Sequence, residues 1–182
     1  LSFSTNQELK NFSSFSLVSA LAVHNILMRQ NIFTEIKWPN DIYLNKKKIG
    51  GILIETFTKD RKNLIVVGIG LNIFMKNNTE IDRDWTSLKL EFENIEIDRN
   101  EIISEIANEV LLSKLNFEKK GFDDFVKDFN RLNFLKDKKV FLSNLVNKKV
   151  TALDVNSDGS LNVRMGNKTK KISSGEVSIN IN

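Results

Sequence analysis

The chain has 182 residues, 41% of them hydrophobic, with 27 Lys and Arg against 23 Asp and Glu and a formal net charge of +4. With no cysteine and one histidine, His24, the composition excludes a disulfide framework, a thiolate metal site, a cysteine nucleophile and a His-rich zinc centre. The longest apolar run, Leu64–Leu71, falls well short of the ~20 residues that a bilayer-crossing helix needs, and no basic-then-apolar leader opens the sequence, so the expectation is a cytoplasmic protein with no membrane partner.

Periodicity predicts a mixed α and β chain. Phe15–Arg29 reads as a helix, because Leu17, Val18, Leu21, Ala22 and Ile26 recur at spacings of three and four. A break at Gln30-Asn31 leads into a short strand over Ile32–Trp38, closed by Pro39, whose ring blocks further ladder pairing and restrains Trp38. The β-branched runs Ile49–Phe57 and Leu64–Ile73, separated by the polar turn Thr58–Asn63, read as a hairpin. Their nearly continuous apolar character predicts central strands covered on both faces. From Asp98 the pattern turns helical: Asp98 and Glu101 have capping-box spacing, Ile102, Ile103, Ile106, Val110 and Leu111 form a stripe, and Gly121 suits the helix end. Phe122, Phe125, Phe129 and Leu132 predict a second helix. Beyond Leu135 come short runs at Val140–Leu142, Val150–Val155, Leu161–Met165 and Lys171–Ile179, with turns at Asn156–Gly159 and Gly166-Asn167. That pattern predicts a small all-β barrel or sandwich.

Lysine outnumbers arginine 21 to 6 and asparagine reaches 23, a bias expected from AT-rich coding DNA, so Lys46-Lys47-Lys48 is weak evidence of a nucleic-acid surface. Charge follows the division of the chain: residues 80–128 carry 7 basic and 14 acidic side chains, and residues 136–171 carry 9 and 3. Solvated faces account for the acidic part.

Chemistry concentrates in Lys37-Trp38-Pro39-Asn40-Asp41 and in Lys48-Ile49-Gly50-Gly51-Ile52-Leu53. A strand ending at a Trp-Pro corner presents an amide and a carboxylate side by side, and a lysine then stands at the mouth of a buried strand before two glycines. A cation, an acid and bare backbone can hold a phosphate, a carboxylate and a divalent ion. A turn with solvated charges has the same sequence. Gly68-x-Gly70 is a weak dinucleotide signal, because no third glycine and no helix follow. Glycines leaving room for a flat ligand, with Asn72 at its edge, suit it better. His24 lies at helical spacing among apolar residues and reads as packing, as do Tyr43 and Trp85.

Lys37-Trp-Pro-Asn-Asp41, Lys48 with Gly51-Ile-Leu53, Gly68-x-Gly-x-Asn72 and Gly175-Glu-Val-Ser178 together resemble the biotin–protein ligases, in that family's order and spacing. The resemblance implies an α+β fold: a mixed sheet with flanking helices, related to class II aminoacyl-tRNA synthetases, over residues 1–134, then a small SH3-like β-barrel over 135–182. It implies a two-step reaction, with ATP and biotin as substrates and Mg²⁺ assisting. Biotin is activated to biotinyl-5'-AMP and then passed to a lysine of a biotin carboxyl-carrier domain, of the acetyl-CoA carboxylase type. By the same resemblance Lys48 contacts biotin and the acyl-phosphate region. Gly51, Gly68 and Gly70 line the cleft, while Asn40, Asp41 and Asn72 place Mg²⁺ and phosphate oxygens, with Asp41 and Asn72 as metal ligands. Lys37 supports charge nearby, and Gly175-Glu176 lies near the ATP end.

The family's Gly-Arg-Gly-Arg loop has no counterpart in this sequence, and Leu1–Ser4 resembles the strand that follows it, so an N-terminally incomplete catalytic domain is expected. There is likewise no DNA-binding helix-turn-helix. The alternatives are a catalytically inactive remnant acting as a carrier- or nucleotide-binding module, and a basic β module that binds nucleic acid. A lipoate ligase shares the chemistry, but the Lys-Trp-Pro-Asn-Asp motif and the C-terminal β region point to biotin.

Overall fold

The computed structural model describes residues 1–76, 84–142, 149–173 and 179–181. Strand β1 (Ser2–Thr5) and a 3₁₀ turn (Leu9–Ser14) precede helix α1 (Phe15–Arg29). Strands β2 (Glu35–Lys37), β3 (Asp41–Leu44), β4 (Lys47–Lys59) and β5 (Lys62–Leu71) follow. With β1 they make a five-stranded sheet in the order β1-β5-β4-β3-β2. Every ladder in it is antiparallel, so the expected mixed sheet is corrected. Parallel pairing among the described residues is confined to the isolated bridges Ile36–Asn133 and Lys48–Trp85.

Two of the sheet's three hairpins close through pairs of left-handed residues, Asn45 and Lys46 between β3 and β4, and Asp60 and Arg61 between β4 and β5. Such pairs match the right-handed strand twist. The β4–β5 ladder runs from Gly50↔Leu71 to Lys59↔Lys62. Its inner face buries Ile49, Ile52, Ile65 and Val67, and α1 lies against β4. Its other face is open: Leu53 is 60% exposed and Phe57 46%. The expectation of strands covered on both faces therefore fails, because all the covering helix mass lies on one side.

Helix α1 is buried on nearly all sides, from Leu17 through Val23 and on to Leu27. The stretch Leu9–Arg29 has the length and apolar character of a bilayer-crossing helix, yet 78% of its most apolar window is buried inside the protein. Asn31, at φ 59°, ends α1 in a left-handed turn, and Ile32 donates its N–H to Leu27 O. Short α2 (Leu88–Glu91) leads to α3 (Arg99–Lys120) and α4 (Asp123–Leu132). The Asp98 carboxylate caps α3 by accepting from the N–H groups of Asn100 and Glu101. Of the predicted stripe, Ile102, Ile106 and Val110 are buried and Phe117 continues the line, whereas Ile103 and Leu111 face outward, because α3 packs on α1 along one edge only. Phe3, Phe12, Phe15, Phe117, Phe125, Phe122 and Phe129 form a chain of aromatic contacts with centroids 5.1–6.5 Å apart.

His24 is buried, and a 2.9 Å hydrogen bond joins its Nδ1 to Thr34 Oγ1. Burial, outweighing the Thr34 contact, holds the imidazole below its ordinary value. The unfolded chain then takes up the proton more readily. The stability contributed by neutral His24 is complete above about pH 6.5 and is lost as pH falls toward the lowered folded value. Urea midpoints at neutral and mildly acidic pH should therefore diverge more for the natural chain than for His24→Gln. Equal divergence would remove His24 as the cause.

A second antiparallel sheet, order β10-β6-β7-β8-β9, has five strands: β6 (Lys139–Leu142), β7 (Lys149–Val155), β8 (Leu161–Met165), β9 (Lys168–Ile172) and β10 (Ile179–Ile181). The strand expected over Lys171–Ile179 is thus two strands on opposite edges, and β9 starts earlier, directly after the left-handed Gly166. The hydrophobic cluster is continuous across both sheets. Where β7 and β8 lose register between Ala152 and Val155, α4 supplies the partners. Asn130 accepts from the Val155 N–H at 2.7 Å and donates to its carbonyl at 3.0 Å. Asn133, just beyond α4, donates to Leu153 O at 3.0 Å.

Candidate active site

The outer face of the first sheet carries an open groove of about 450 Å³ at the Pro39 corner. Its lining includes six of the eight residues expected at the site: Asn40, Asp41, Lys48, Gly51, Gly68 and Gly70. Strand register explains the convergence, since Asp41 pairs with Gly51 and Gly51 with Gly70, while Leu53 pairs with Gly68. Paired residues share a face.

At the centre, Lys48 Nζ lies 2.5 Å from Asp41 Oδ1, with the lysine side chain 34% exposed and the carboxylate side chain 19%. A Cβ on Gly51 would lie 3.3 Å from Asp41 Oδ1 and 3.5 Å from Lys48 Nζ, so the bare backbone gives the ion pair its space. Gly68 and Gly70 would meet only ordinary contacts, at 3.6 Å and 3.9 Å. Packing does not demand glycine there, and its effect is a flat floor.

Gly50 is different, and the expected site omitted it. A Cβ there would sit 2.5 Å from the Gly70 carbonyl oxygen. Gly50→Ala should force β4 and β5 apart under the groove and cost about 1–3 kcal/mol, read as a lowered urea midpoint. An unchanged midpoint would show that the strands part freely.

The Trp38–Asp41 corner is anchored on several sides. Trp38 is 1% exposed, a packing residue of the core. Its indole N–H donates to Gly159 O in the second sheet's β7–β8 turn at 2.9 Å. The Ser16 hydroxyl donates to Pro39 O at 3.1 Å. Asn40 donates through its amide to Ile52 O at 2.7 Å and accepts at its own carbonyl from the Ile52 N–H at 2.8 Å. Asn40 is therefore in the lining with its amide N–H turned to β4.

Two expected residues lie elsewhere. Lys37 is outside the lining; it stands across the ladder from Asp41, with Nζ 3.4 Å from the Tyr43 hydroxyl. Tyr43 itself stacks on Phe134 at 4.5 Å, consistent with packing. Asn72 is also outside the lining, and its amide donates to Thr86 O at 3.0 Å. The metal assignment to Asp41 and Asn72 therefore does not fit. Asp41 is engaged by Lys48, Asn72 does not share its lining, and the described residues contain no group of three or more His, Cys, Asp or Glu that could hold a metal ion. Gly175-Glu176 lies outside the described residues.

One contributor carried no sequence signal. Segment 84–86 runs beside the start of β4, where the Lys48 N–H donates to Asp84 O at 3.0 Å and the Thr86 N–H donates to Lys48 O at 2.9 Å. The half-buried Trp85 belongs to this segment and so sits beside Lys48.

The Biotin/lipoate A/B protein ligase family profile matches residues 1–72. The bifunctional ligase/repressor BirA of Escherichia coli is 29% identical over 164 residues, spanning 83% of this chain and 50% of that protein. The apo structure of biotin protein ligase from Aquifex aeolicus superposes with a TM-score of 0.83 at 28% identity, covering 100% of this chain and 81% of that one. The chain is a homologue of the biotin protein ligases. Another Aquifex aeolicus structure, in complex with biotin and ATP, matches at 27% identity with a TM-score of 0.80, covering 100% of this chain and 77% of that one. The family profile ends at Asn72, and so covers the whole groove and the Lys48–Asp41 pair. The chain spans about half the length of the curated relatives it matches.

Proposed function

We propose that this chain carries out ATP-dependent activation of biotin to biotinyl-5'-AMP and transfer of the biotinyl group to a lysine of a biotin carboxyl-carrier domain. A relative from Mycobacterium tuberculosis is named biotin–[acetyl-CoA-carboxylase] ligase, which favours a carrier of that type. The observation that carries the reading is the Lys48–Asp41 pair standing over a glycine floor. In the first step a biotin carboxylate oxygen bonds to the α-phosphorus of ATP and the bond to pyrophosphate breaks. In the second, the carrier amine bonds to the acyl carbon, loses a proton, and AMP departs. Negative charge grows on oxygen in both steps. The Lys48 ammonium, pre-oriented by Asp41, favours both by electrostatics and positioning. The flat floor of Gly51, Gly68 and Gly70 admits a planar ring close to the backbone. No step is assigned to a metal held by Asp41 and Asn72.

The same reading divides the chain into a catalytic unit over 1–134 and an SH3-like barrel over 135–182, in a cytoplasmic enzyme. Its test is ATP–pyrophosphate exchange, run on this chain and on a version carrying upstream sequence. Exchange that requires biotin supports the ligase. Silence in both, with the proteins folded, overturns it in favour of a non-catalytic carrier- or nucleotide-binding module.

A further inference from the structure

Lys48 occupies a weak place in its sheet. It is the second residue of β4, just after the Asn45-Lys46 turn, and the β3–β4 register opposite it shifts between Ile42 and Tyr43. On its other side the β5 ladder stops at Gly50↔Leu71. The main chain of Lys48 is instead gripped by segment 84–86, through its N–H to Asp84 O and its carbonyl from the Thr86 N–H. A lysine that must meet a reacting oxygen needs a fixed backbone, so whatever holds Thr86 governs where the ammonium stands.

Glu91, the last residue of α2, does this from a side chain only 13% exposed. The Thr86 hydroxyl donates to Glu91 Oε1 at 2.5 Å, and the Asn45 amide donates to Glu91 Oε2 at 2.6 Å. Lys47 Nζ stands 3.7 Å from Oε1. One carboxylate thus ties the turn that precedes Lys48 to the residue that grips it. The Thr86 and Asn45 bonds, with lesser help from Lys47, hold the Glu91 carboxyl below the ordinary carboxylate range, so it remains ionised where three donors converge. From the other side Asn72 donates to Thr86 O. Thr86, 1% exposed, is therefore held through both its hydroxyl and its carbonyl.

We propose that Glu91 is a positioning residue for Lys48, acting through Thr86 and the Asn45–Lys47 turn to hold the lysine against Asp41 at the groove. This rests on the reading of Lys48 as the reaction's cation. The test uses the full chain, extended upstream if exchange requires it, with Glu91→Ala, Thr86→Val, their combination and Glu91→Gln. Misplacement of a catalytic group by about 1 Å can cost on the order of 100-fold. Glu91→Ala should lower kcat for biotin-dependent exchange by about 10- to 100-fold with KM for biotin and ATP little changed. Thr86→Val should do the same, the double variant should be no worse than either single one, and Glu91→Gln, which keeps an oxygen for Thr86, should recover most of the rate.

A second readout needs no turnover. Trace labelling with acetic anhydride should show Lys48 reacting faster, relative to Lys119, once Glu91 is removed and the Asp41 pair loosens. Natural kcat together with natural Lys48 labelling in folded Glu91→Ala overturns the proposal. If that variant does not fold, the same pair of results in Thr86→Val overturns it. Full exchange by Lys48→Ala would sink the ligase role of the lysine, while faster labelling in Glu91→Ala would still support its being held by Glu91.

Discussion

Lys48→Ala should slow biotin-dependent ATP–pyrophosphate exchange by about 100- to 1,000-fold, or roughly 3 kcal/mol, the loss typical of removing one preorganised donor from a developing oxyanion. The loss has two parts. The variant removes a cation from the groove, and it leaves Asp41 without the ammonium that stood 2.5 Å away. A site whose two central charges cancelled then presents a lone carboxylate to a carboxylate and a triphosphate. Adding Asp41→Asn to Lys48→Ala should therefore recover part of the rate, which a purely additive pair could not do. Lys48→Arg should not restore it, because a planar guanidinium fork cannot stand in for a compact ammonium as a point charge beside Asp41. Near-natural exchange by Lys48→Ala would show that the cation of the reaction lies elsewhere.

Trp38→Ala should cost about 3–5 kcal/mol of folding stability, the usual range for emptying a buried tryptophan site. The indole is 1% exposed and its N–H is bound to Gly159 O. Gly159 packs so closely on Ser14 that an added Cβ would clash with the Ser14 Cβ, which places the β7–β8 turn directly against the residue preceding α1. Trp38→Phe separates the two contributions. It keeps most of the packing and leaves the Gly159 carbonyl without its donor, at about 1–3 kcal/mol. Urea midpoints read both changes. If Trp38→Phe matches the natural chain, the link between the Pro39 corner and the β7–β8 turn adds nothing to stability.

Much of the molecule was legible along the chain where local pattern and local structure coincide. The spacing of Leu17, Val18, Leu21 and Ile26 located α1, the Asp98 cap and Gly121 bracketed α3, and the β-branched runs with a polar turn between them located β4 and β5. The convergence of Asp41, Lys48, Gly51 and Gly68 on one groove was expected from the family resemblance and not from periodicity, since β3, which sets Asp41 beside Gly51, follows Pro39 too briefly to show a strand pattern. Illegible features depended on partners distant in sequence or lay in segments without periodicity. Leu53 and Phe57 look like core in a strand pattern, and only the placement of the helices leaves them exposed. Asn72 has the composition of a ligand-binding residue, but its amide is turned to Thr86. Segment 84–86 and Glu91 have no repeat to mark them, although Asp84 and Thr86 bond the Lys48 main chain and Glu91 accepts from the Thr86 hydroxyl.

The asparagines of α4 and its end have a consequence for how the molecule comes apart. Asn130 and Asn133 complete hydrogen bonds of β7 where its own neighbour strand slips out of register. Lifting the second sheet away would strand the Leu153 and Val155 backbone groups without partners, as well as uncovering shared core. The two sheets should therefore melt as one cooperative unit, and a protease should find no intermediate in which the C-terminal strands alone have come loose. The chain end, in effect, reports on the integrity of everything before it.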